Sequence, residues 1–430
     1  MTAPHRHLGT LRGLAVMVGI VVGVGIFKTP SLVAANVASS DEFLLAWIAG
    51  GVISALGALV YAELATALPE AGGEYRILSA AWGPATGFLF AWSRLAVFQT
   101  GTIAAVAYVF GDYAQMLLPL GAGGSPLYAG AAVIAMTLVN LSGARRGSFV
   151  QAWLTGLLIA ALLLIAGAAL AGGSAPAATA PAHQAGPGGI GLAMVFVLLT
   201  YGGWNEAAYL AGEVERPERT MPRLLALGIA AITAIYLIVN VAYLRALGLP
   251  AMAESGAVGQ RLAEQLLGGP AAKLVGAIVL VAALSCLNGT LFTAARASYA
   301  WGRDVPRLAL LARWDGGRNT PAGALIVQAA VVLALVAAAG FARDGFAALV
   351  EFTAPAFWLF MVLVGLALFR LRRRGLGAPV RVPLYPLIPG LFVAASLFML
   401  QASLVNTGVG ALFGVAVPAA GLPVLWWARR

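Results

Sequence analysis

The chain has 430 residues, of which 61% are hydrophobic and only 10% are charged, and its formal net charge at pH 7 is +10. Soluble domains carry roughly 25% charged residues, so this composition excludes an ordinary soluble protein and predicts a polytopic membrane protein. Backbone groups cannot stay unpaired in lipid, and the apolar runs are therefore predicted to be helices. The positive charge does not indicate a nucleic-acid surface, because no basic patch is interleaved with aromatic residues.

Hydropathy predicts twelve membrane spans. In chain order their approximate limits are 12–37, 43–68, 84–118, 126–143, 149–172, 189–213, 222–247, 272–301, 321–340, 346–370, 384–405 and 408–428. The first of them lacks a small-residue cleavage site and is predicted to be a span rather than a signal peptide. Residues 173–188 are rich in Gly, Pro and Ala and predict a flexible connector, whereas residues 248–271 predict a short surface helix.

The arginines are concentrated at the two termini and in the loops that follow even-numbered spans. Loops rich in Arg and Lys stay on the cytoplasmic side of a membrane. Both termini are therefore predicted to be cytoplasmic, with the protein in the inner (plasma) membrane.

Two spans carry a glycine pair followed by an aromatic residue. The first span holds GVGIF (23–27) and the sixth holds YGGWNE (201–206). Close helix packing would explain one such site. Two glycine-interrupted helices at corresponding positions indicate a transporter site. They lie five spans apart and so run in opposite directions, which predicts two inverted halves, 12–172 and 189–370, with two added helices in 384–428.

A break in a membrane helix exposes amides at one new end and carbonyls at the other. The amides attract a carboxylate and the carbonyls suit an ammonium group, so the pair of breaks predicts a site for a zwitterionic amino acid. We expect the amides of Gly23, Val24 and Gly25 to hold the carboxylate, and carbonyls near Val21 and Leu199 to hold the ammonium. The full predicted binding set is Val21, Gly23, Val24, Gly25, Ile26, Phe27, Leu199, Thr200, Tyr201, Gly202, Gly203, Trp204 and Asn205.

Three polar residues within predicted spans are candidates for coupling or gating. Lys28 follows the first break; it either reaches toward the membrane surface or pairs structurally, or it is a desolvated lysine that couples transport to protons. Glu206 follows the second break and either balances that charge or faces a solvated cavity. Asn288 either bonds between helices or lines the site.

Three further charged residues lie within or at the ends of spans. These are Glu63, Arg94 and Arg296. We expect them to form gate or packing ion pairs near the cytoplasmic face, because a lone charge inside a membrane protein is costly.

The sequence resembles the L-type amino acid transporter family, within the amino acid–polyamine–organocation superfamily. The residues that carry the resemblance cover nearly the whole chain: GVGIF (23–27), YAEL (61–64), PEAGGEY (69–75), YGGWN (201–205), EVERPER (213–219), MPR (221–223), LNG (287–289) with Arg296 and GR (302–303), VPLY (382–385) and TGVG (407–410). The resemblance implies an all-α leucine-transporter-type fold of five plus five inverted helices with two added. It also implies sodium-independent amino acid transport, often by exchange, with substrate held at the first and sixth helices.

The chain departs from that family at three positions. Val24 stands where the family often has serine, Leu199 where it has a gating aromatic, and Leu158 where many bacterial relatives carry a lysine. Human relatives pair with a heavy chain through a cysteine in an external loop. The single cysteine here, Cys286, lies inside an apolar run, so no disulfide-linked partner is expected and the protein is predicted to be a monomer.

Neutral L-amino acids are the predicted substrates, moved by exchange or with protons. The alternatives are a polyamine or cationic amino acid carrier, an exporter of the same fold, and a non-transporting amino acid sensor. An enzyme is not predicted, and neither a metal nor a cofactor is expected, because the sequence shows no nucleophile–base pair, no Cys/His ligand cluster and no cofactor motif.

Overall fold

The fold is given by a computed structural model that describes residues 5–121, 123–172, 185–186, 189–268, 271–341, 354–407 and 411–429. Within these ranges the regular structure is helical, apart from isolated bridges between Leu8 and Val214 and between Asp315 and Thr320. An all-helical architecture is what a chain of apolar spans requires, because only helices satisfy their own backbone groups in lipid.

The first half contains eight α-helices. They are α1 (Thr10–Val21), α2 (Thr29–Ala34), α3 (Ser40–Ala67), α4 (Glu74–Trp82), α5 (Pro84–Ser93), α6 (Gln99–Leu117), α7 (Gly124–Leu141) and α8 (Ala144–Ala171). A 3₁₀ turn, Val24–Phe27, stands between α1 and α2, and a π-helical turn, Arg94–Phe98, joins α5 to α6.

The remaining described residues form nine α-helices. They are α9 (Gly189–Tyr201), α10 (Pro217–Leu247), α11 (Leu249–Glu254), α12 (Val258–Leu267), α13 (Ala271–Asp304), α14 (Ala322–Phe341), α15 (Ala354–Arg373), α16 (Leu387–Thr407) and α17 (Ala411–Arg429). A 3₁₀ segment, Trp204–Leu210, follows α9. Helices α11 and α12 confirm the surface helix predicted in residues 248–271.

Nine helices in the described part of the chain are long and apolar enough to cross a membrane, counting Pro84–Leu117 as one. Thr10–Val21 and Gly414–Ala428 are shorter apolar helices. The protein is thus a multi-pass membrane protein. Each of the twelve predicted spans contains a helix. Twelve membrane-spanning helices are not thereby counted, because the helices of the first and sixth predicted spans are interrupted and too short to cross a membrane alone. Residues 173–184, 187–188, 346–353 and 408–410 of the predicted segments lie outside the described residues.

The two breaks are caused by glycines. Gly23 is extended after α1, with φ −109° and ψ −150°. Gly203 has φ +103°, a left-handed conformation that glycine adopts without the penalty other residues incur. Both predicted interruptions are therefore present where the glycine pairs stand.

An aromatic cluster packs α3 and α10 against the end of α9. The ring centroids of Tyr201 and Tyr236 are 5.1 Å apart, and those of Trp47 and Tyr236 are 5.4 Å apart. The Tyr201 hydroxyl also donates to the Trp47 carbonyl over 3.0 Å. These contacts fix the C-terminal end of α9, and with it the position of the second break.

The three charged residues Glu63, Arg94 and Arg296 all form ion pairs, as predicted. Glu63 accepts from Arg372 Nε over 2.6 Å, and Arg296 forms a buried pair with Glu213. Arg94 differs from the expectation, because its partner is Glu206 at the second break, so its pair belongs to the candidate site itself.

Candidate functional site

The two helix breaks lie side by side. A Cβ placed on Gly203 would come within 3.0 Å of Ile20 Cγ2 and 3.6 Å of Val21 Cγ2. The Tyr236 hydroxyl lies 2.8 Å from the Val21 carbonyl oxygen and 3.0 Å from the Thr200 carbonyl oxygen. It carries one proton and can donate to only one of them at a time, so both carbonyls keep acceptor capacity.

The backbone amides at the first break differ in whether they are already hydrogen-bonded. The Gly23 amide donates to the Val21 carbonyl over 2.8 Å, which corrects the expectation that it is available to a carboxylate. Among the described residues, the amides of Val24 and Gly25 make no backbone hydrogen bond to another segment. They remain the candidate anion donors of this break.

A cavity of about 320 Å³ opens at the second break. Six of the residues predicted from the sequence line it: Leu199, Gly202, Gly203, Trp204, Asn205 and Glu206. Two larger clefts, of about 540 Å³ and 730 Å³, lie beside α11–α12 and beside α4. Neither is lined by a residue of either break, so the 320 Å³ cavity is the candidate substrate site.

The remaining predicted binding residues stand behind the cavity wall. A Cβ on Gly23 would lie 3.8 Å from Cys286 Cβ, and one on Gly25 would lie 3.4 Å from Thr200 Cγ2. Phe27 faces Gly259 of α12. Ile26, Val21 and Tyr201 are buried, Val24 is half-buried, and the Thr200 hydroxyl donates to the Phe196 carbonyl.

Aromatic rings form much of the cavity wall. The Trp204 ring lies 5.0 Å from that of Tyr61 and 6.2 Å from that of Phe392, both in edge-to-face geometry. Phe98, Phe357 and Trp358 also line the space. Such a wall suits an apolar or uncharged side chain better than a charged one.

Glu206 is held by two partners at the base of the cavity. Arg94 Nη2 lies 2.7 Å from both carboxylate oxygens, and the Thr293 hydroxyl donates to Oε2 over 2.6 Å. The Arg94 guanidinium also lies 4.3 Å above the ring of Tyr209. Arg94 begins the π-helical turn, a feature that often marks functional sites in helices. The charge of Glu206 is thus balanced by Arg94 and not by Lys28.

A second buried carboxylate, Glu74, adjoins this pair. Its Oε1 accepts from Asn205 Nδ2 over 2.6 Å and from the Tyr61 hydroxyl over 3.0 Å. Asn205 lines the cavity, so Glu74 contacts the cavity wall from behind.

The model of the amino acid permease family matches residues 8–428. This chain belongs to the amino acid permease family. The permease is 30% identical over 432 residues to the serine/threonine exchanger SteT of Bacillus subtilis (strain 168), covering 99% of this chain and 97% of that protein. It is 32% identical over 418 residues to the b(0,+)-type amino acid transporter 1 of Mus musculus, covering 94% and 84%.

The permease also resembles a solved transporter structure. This is Mhp1, a nucleobase-cation-symport-1 family transporter in a closed conformation with bromovinylhydantoin bound; the TM-score is 0.57 at 15% identity, covering 99% of this chain and 94% of that one. The likeness confirms the predicted all-helical transporter fold. The family and the relatives named above are amino acid transporters and not enzymes, which confirms the superfamily predicted from the motifs.

Lys28 and Asn288 do not line the cavity of the permease. The Lys28 side chain is exposed and makes no ion pair with any described residue, which argues against both the paired and the desolvated alternatives for it. Asn288 Oδ1 accepts from Asn140 over 2.8 Å, and its Nδ2 donates to Gln151 Oε1 over 2.8 Å. Asn288 therefore ties α13 to α7 and α8.

The N-terminal segment of the permease is bound to two distant parts of the chain. The amides of His7 and Leu8 donate to the Glu213 carbonyl over 2.8 Å and 3.0 Å, and the Glu215 amide donates to the Leu8 carbonyl over 3.1 Å. Asn319 holds the same segment through both the amide and the carbonyl of His5. We call residues 5–9 the N-terminal strap.

Most of the cavity residues contributed by later helices were not predicted. Phe392, Ala395, Ser396 and Met399 line the cavity from α16. Their spacing of i, i+3, i+4 and i+7 places them on one helix face, which the sequence alone indicates. The sequence does not indicate that this face meets the second break. In the part of the permease that the structure describes, no group of three or more His, Cys, Asp or Glu could hold a metal ion.

Proposed function

We propose that this permease carries neutral L-amino acids across the inner (plasma) membrane without sodium, by exchange or together with a proton. Both termini lie in the cytoplasm in this proposal, as the arginine distribution favours. The observation that carries it is the neutral balance of the cavity: Glu206, its one carboxylate-bearing residue among those described, is paired with Arg94.

The substrate backbone is held at the two breaks in this proposal. The amides of Val24 and Gly25 do not line the cavity in this structure, and in the transport cycle they come to face the substrate carboxylate. The carbonyls of Val21 and Thr200, which already share the Tyr236 hydroxyl, accept from the ammonium. These contacts recognise the carboxylate and ammonium groups that all amino acids share. The cavity wall around the substrate side chain then determines which amino acids are accepted.

The aromatic wall favours uncharged side chains. Phe98, Phe357, Trp358 and Phe392 present apolar surface, and Gln99 and Thr102 add hydrogen-bonding groups. A cationic side chain would need a free carboxylate to offset its desolvation. The only acid available there is already engaged by Arg94, which argues against the cationic amino acid and polyamine alternatives.

Relatives support exchange as the mode of transport. SteT is named as a serine/threonine exchanger. A further relative, 30% identical over 447 residues and covering 100% of this chain and 82% of that protein, is the large neutral amino acids transporter small subunit 2 of Mus musculus; its name supports neutral substrates and does not bear on the mode of transport. Independence of sodium rests on the resemblance to the L-type transporter family. At α8, where many bacterial relatives carry a lysine, Leu158 is fully buried, and the neighbouring polar residues Gln151, Thr155 and Ser285 bond to one another.

Counterflow into proteoliposomes tests the proposal. Vesicles are loaded with unlabelled neutral amino acids, and entry of labelled leucine, alanine, serine or lysine is followed without sodium. Accumulation of a neutral label that depends on the internal load is expected. Entry of lysine alone would replace the neutral assignment with the cationic one, and binding without any flux would favour a sensor.

A further inference from the structure

Glu74 has a buried carboxyl oxygen that accepts no hydrogen bond of good geometry from the described residues. The side chain is 2% exposed. Its Oε1 accepts two hydrogen bonds, whereas its Oε2 is buried and accepts none from the described residues. The Tyr209 hydroxyl faces the carboxyl, and it too makes no hydrogen bond of good geometry with the described residues. An ionised carboxylate is an acceptor at both oxygens, so incomplete hydrogen bonding of a buried carboxyl disfavours its charged form.

The charge count around Glu74 leads to the same conclusion. Arg94 carries the one positive charge in contact with this cluster, and it is bonded to both oxygens of Glu206. Ionised Glu74 would leave an unpaired negative charge in an enclosed space, and desolvation disfavours that strongly. The N-terminus of α4 favours the charged form, but this effect is smaller than the desolvation of an unpaired ion.

The groups that face Glu74 come from several elements. They are Tyr61 of α3, Arg94 of the π-helical turn, and Asn205, Glu206 and Tyr209 of the 3₁₀ segment. From the other helices packed on α4, Arg296 of α13 is paired with Glu213 and Arg372 of α15 with Glu63. Burial is the largest effect and raises the pKa of the Glu74 carboxyl; Arg94 partly opposes the rise and Glu206 adds to it.

We propose that Glu74 is the binding site of a proton that crosses the membrane together with the amino acid. This rests on the proposed function and decides between exchange alone and proton-linked transport. As the cluster closes, the carboxylate takes one proton from water on the side that was open and becomes a carboxylic acid. Asn205, which touches both the cavity and Glu74, connects substrate occupancy to the closure of this cluster.

Release of the proton from Glu74 follows from the way several separate elements enclose its carboxyl. The seal around Glu74 is made by α3, the π-helical turn and the 3₁₀ segment, so a displacement of any one of them admits water to the carboxyl. A hydrated carboxyl returns to its ordinary acidity and gives up its proton on the side that has opened. Lys28 cannot take this role as the structure stands, because its side chain is already exposed.

The test uses the full-length permease in vesicles that contain a pH-sensitive dye. Net uptake of the best neutral substrate found by counterflow is started with acid outside and no substrate inside. Wild type should acidify the lumen in step with substrate entry. Glu74→Gln keeps the acceptor oxygen for Tyr61 and Asn205, so its counterflow should stay within about twofold of wild type while the substrate-linked acidification disappears.

Two matched variants complete the experiment. Glu264→Gln removes an exposed carboxylate on α12, and Lys28→Gln removes the other candidate proton carrier; both should acidify the lumen as wild type does. Absence of counterflow in wild type would refute the proposed function. Counterflow without acidification in wild type, or acidification that survives Glu74→Gln, would overturn the proton site alone.

A folding defect would not leave the question open. If Glu74→Gln does not fold in detergent, Glu74→Asp takes its place, because aspartate still titrates but reaches less far. A displaced pH midpoint for substrate-linked acidification supports the proton site, and an unchanged midpoint overturns it.

Discussion

Arg94 and Glu206 depend on each other for their charge. Each is 5% exposed, and Arg94 Nη2 lies 2.7 Å from both Glu206 oxygens. Removing one partner of a buried pair leaves the other ion unpaired, which typically costs about 3–5 kcal/mol, whereas removing both charges is far less harmful. The pair therefore stabilises this part of the cavity only while both residues are present, and a single substitution of either one is expected to be harmful.

Arg94→Met is expected to destabilise the permease by about 3–5 kcal/mol. The double variant Arg94→Met with Glu206→Gln should recover a large part of that loss, because no ion is then left alone. Thermal unfolding of the two variants in the same detergent measures the difference. Equal destabilisation of the single and double variants would contradict the view that the pair is held by mutual charge.

At the residue scale, the sequence indicated the site but not its partners. Trp204, Asn205 and Glu206 were predicted because they follow a glycine pair inside an apolar run. That Arg94 would meet Glu206, 112 positions away in the chain, was not predictable, because partner choice depends on how helices pack. Glu74 was quoted only as part of a motif, since nothing local distinguishes a buried carboxylate from a loop carboxylate.

At the scale of elements, the second break depends on one backbone conformation. Gly203 has φ +103°, and a Cβ there would approach Ile20 Cγ2 to 3.0 Å. A side chain is therefore opposed both by backbone strain, about 1–3 kcal/mol at such positions, and by close contact with the first broken helix.

Gly203→Ala is expected to slow counterflow by about tenfold or more, as a cost of 1.4 kcal/mol in the transport-competent geometry would produce. Gly156→Ala is the matched control: this glycine lies within the regular helix α8, and its Cβ would meet nothing within 4 Å. The control should transport as wild type does. If both alanine variants transport equally well, the conformation of Gly203 does not matter to function.

The helix breaks were predictable because glycine pairs are local signals. Helix α4 was not predicted, because its polar residues Glu74, Arg76 and Ser79 hide it from hydropathy. The π-helical turn was also missed, since one extra residue per turn leaves the apolar run of residues 84–118 unchanged. Both unpredicted elements border the buried charges, and only the assembled structure shows that.

At the scale of the whole molecule, the N-terminal strap joins distant parts of the chain. It binds the segment after the second break through Glu213 and Glu215, and the loop before α14 through Asn319. Leu8 is fully buried within it. Because the strap leads directly into α1, a movement of α1 away from these segments would break these hydrogen bonds.

Asn319→Ala should loosen the strap. Two hydrogen bonds to His5 are lost, each worth about 1 kcal/mol, so amide exchange at His7 and Leu8 should accelerate by roughly tenfold or more. Hydrogen–deuterium exchange of the N-terminal peptide measures this. Gln260→Ala, which removes only an exposed bond to Glu264 on α12, should leave that peptide unaffected. Unchanged exchange in Asn319→Ala would mean that Glu213 and Glu215 suffice.

Whole-chain features were predicted unevenly. The membrane class followed from composition, and nine described helices have the length and hydropathy of spans. The division into inverted halves at 12–172 and 189–370 stays a prediction. The strap could not be foreseen, because the strap contributes mainly its backbone to these bonds, which leaves no mark on its own side-chain pattern.

Cys286 gives the native chain its one thiol, and the sulfur of that thiol lies in the cavity wall beside Gly23. A fluorophore or spin label that reacts with thiols would therefore attach at this one known position, and no other cysteine would have to be removed first. Its attachment rate would report when the cavity fills with water, and its spectrum would report when a substrate displaces that water. The native sequence thus allows a spectroscopic probe to be attached in the cavity where the substrate is expected to bind.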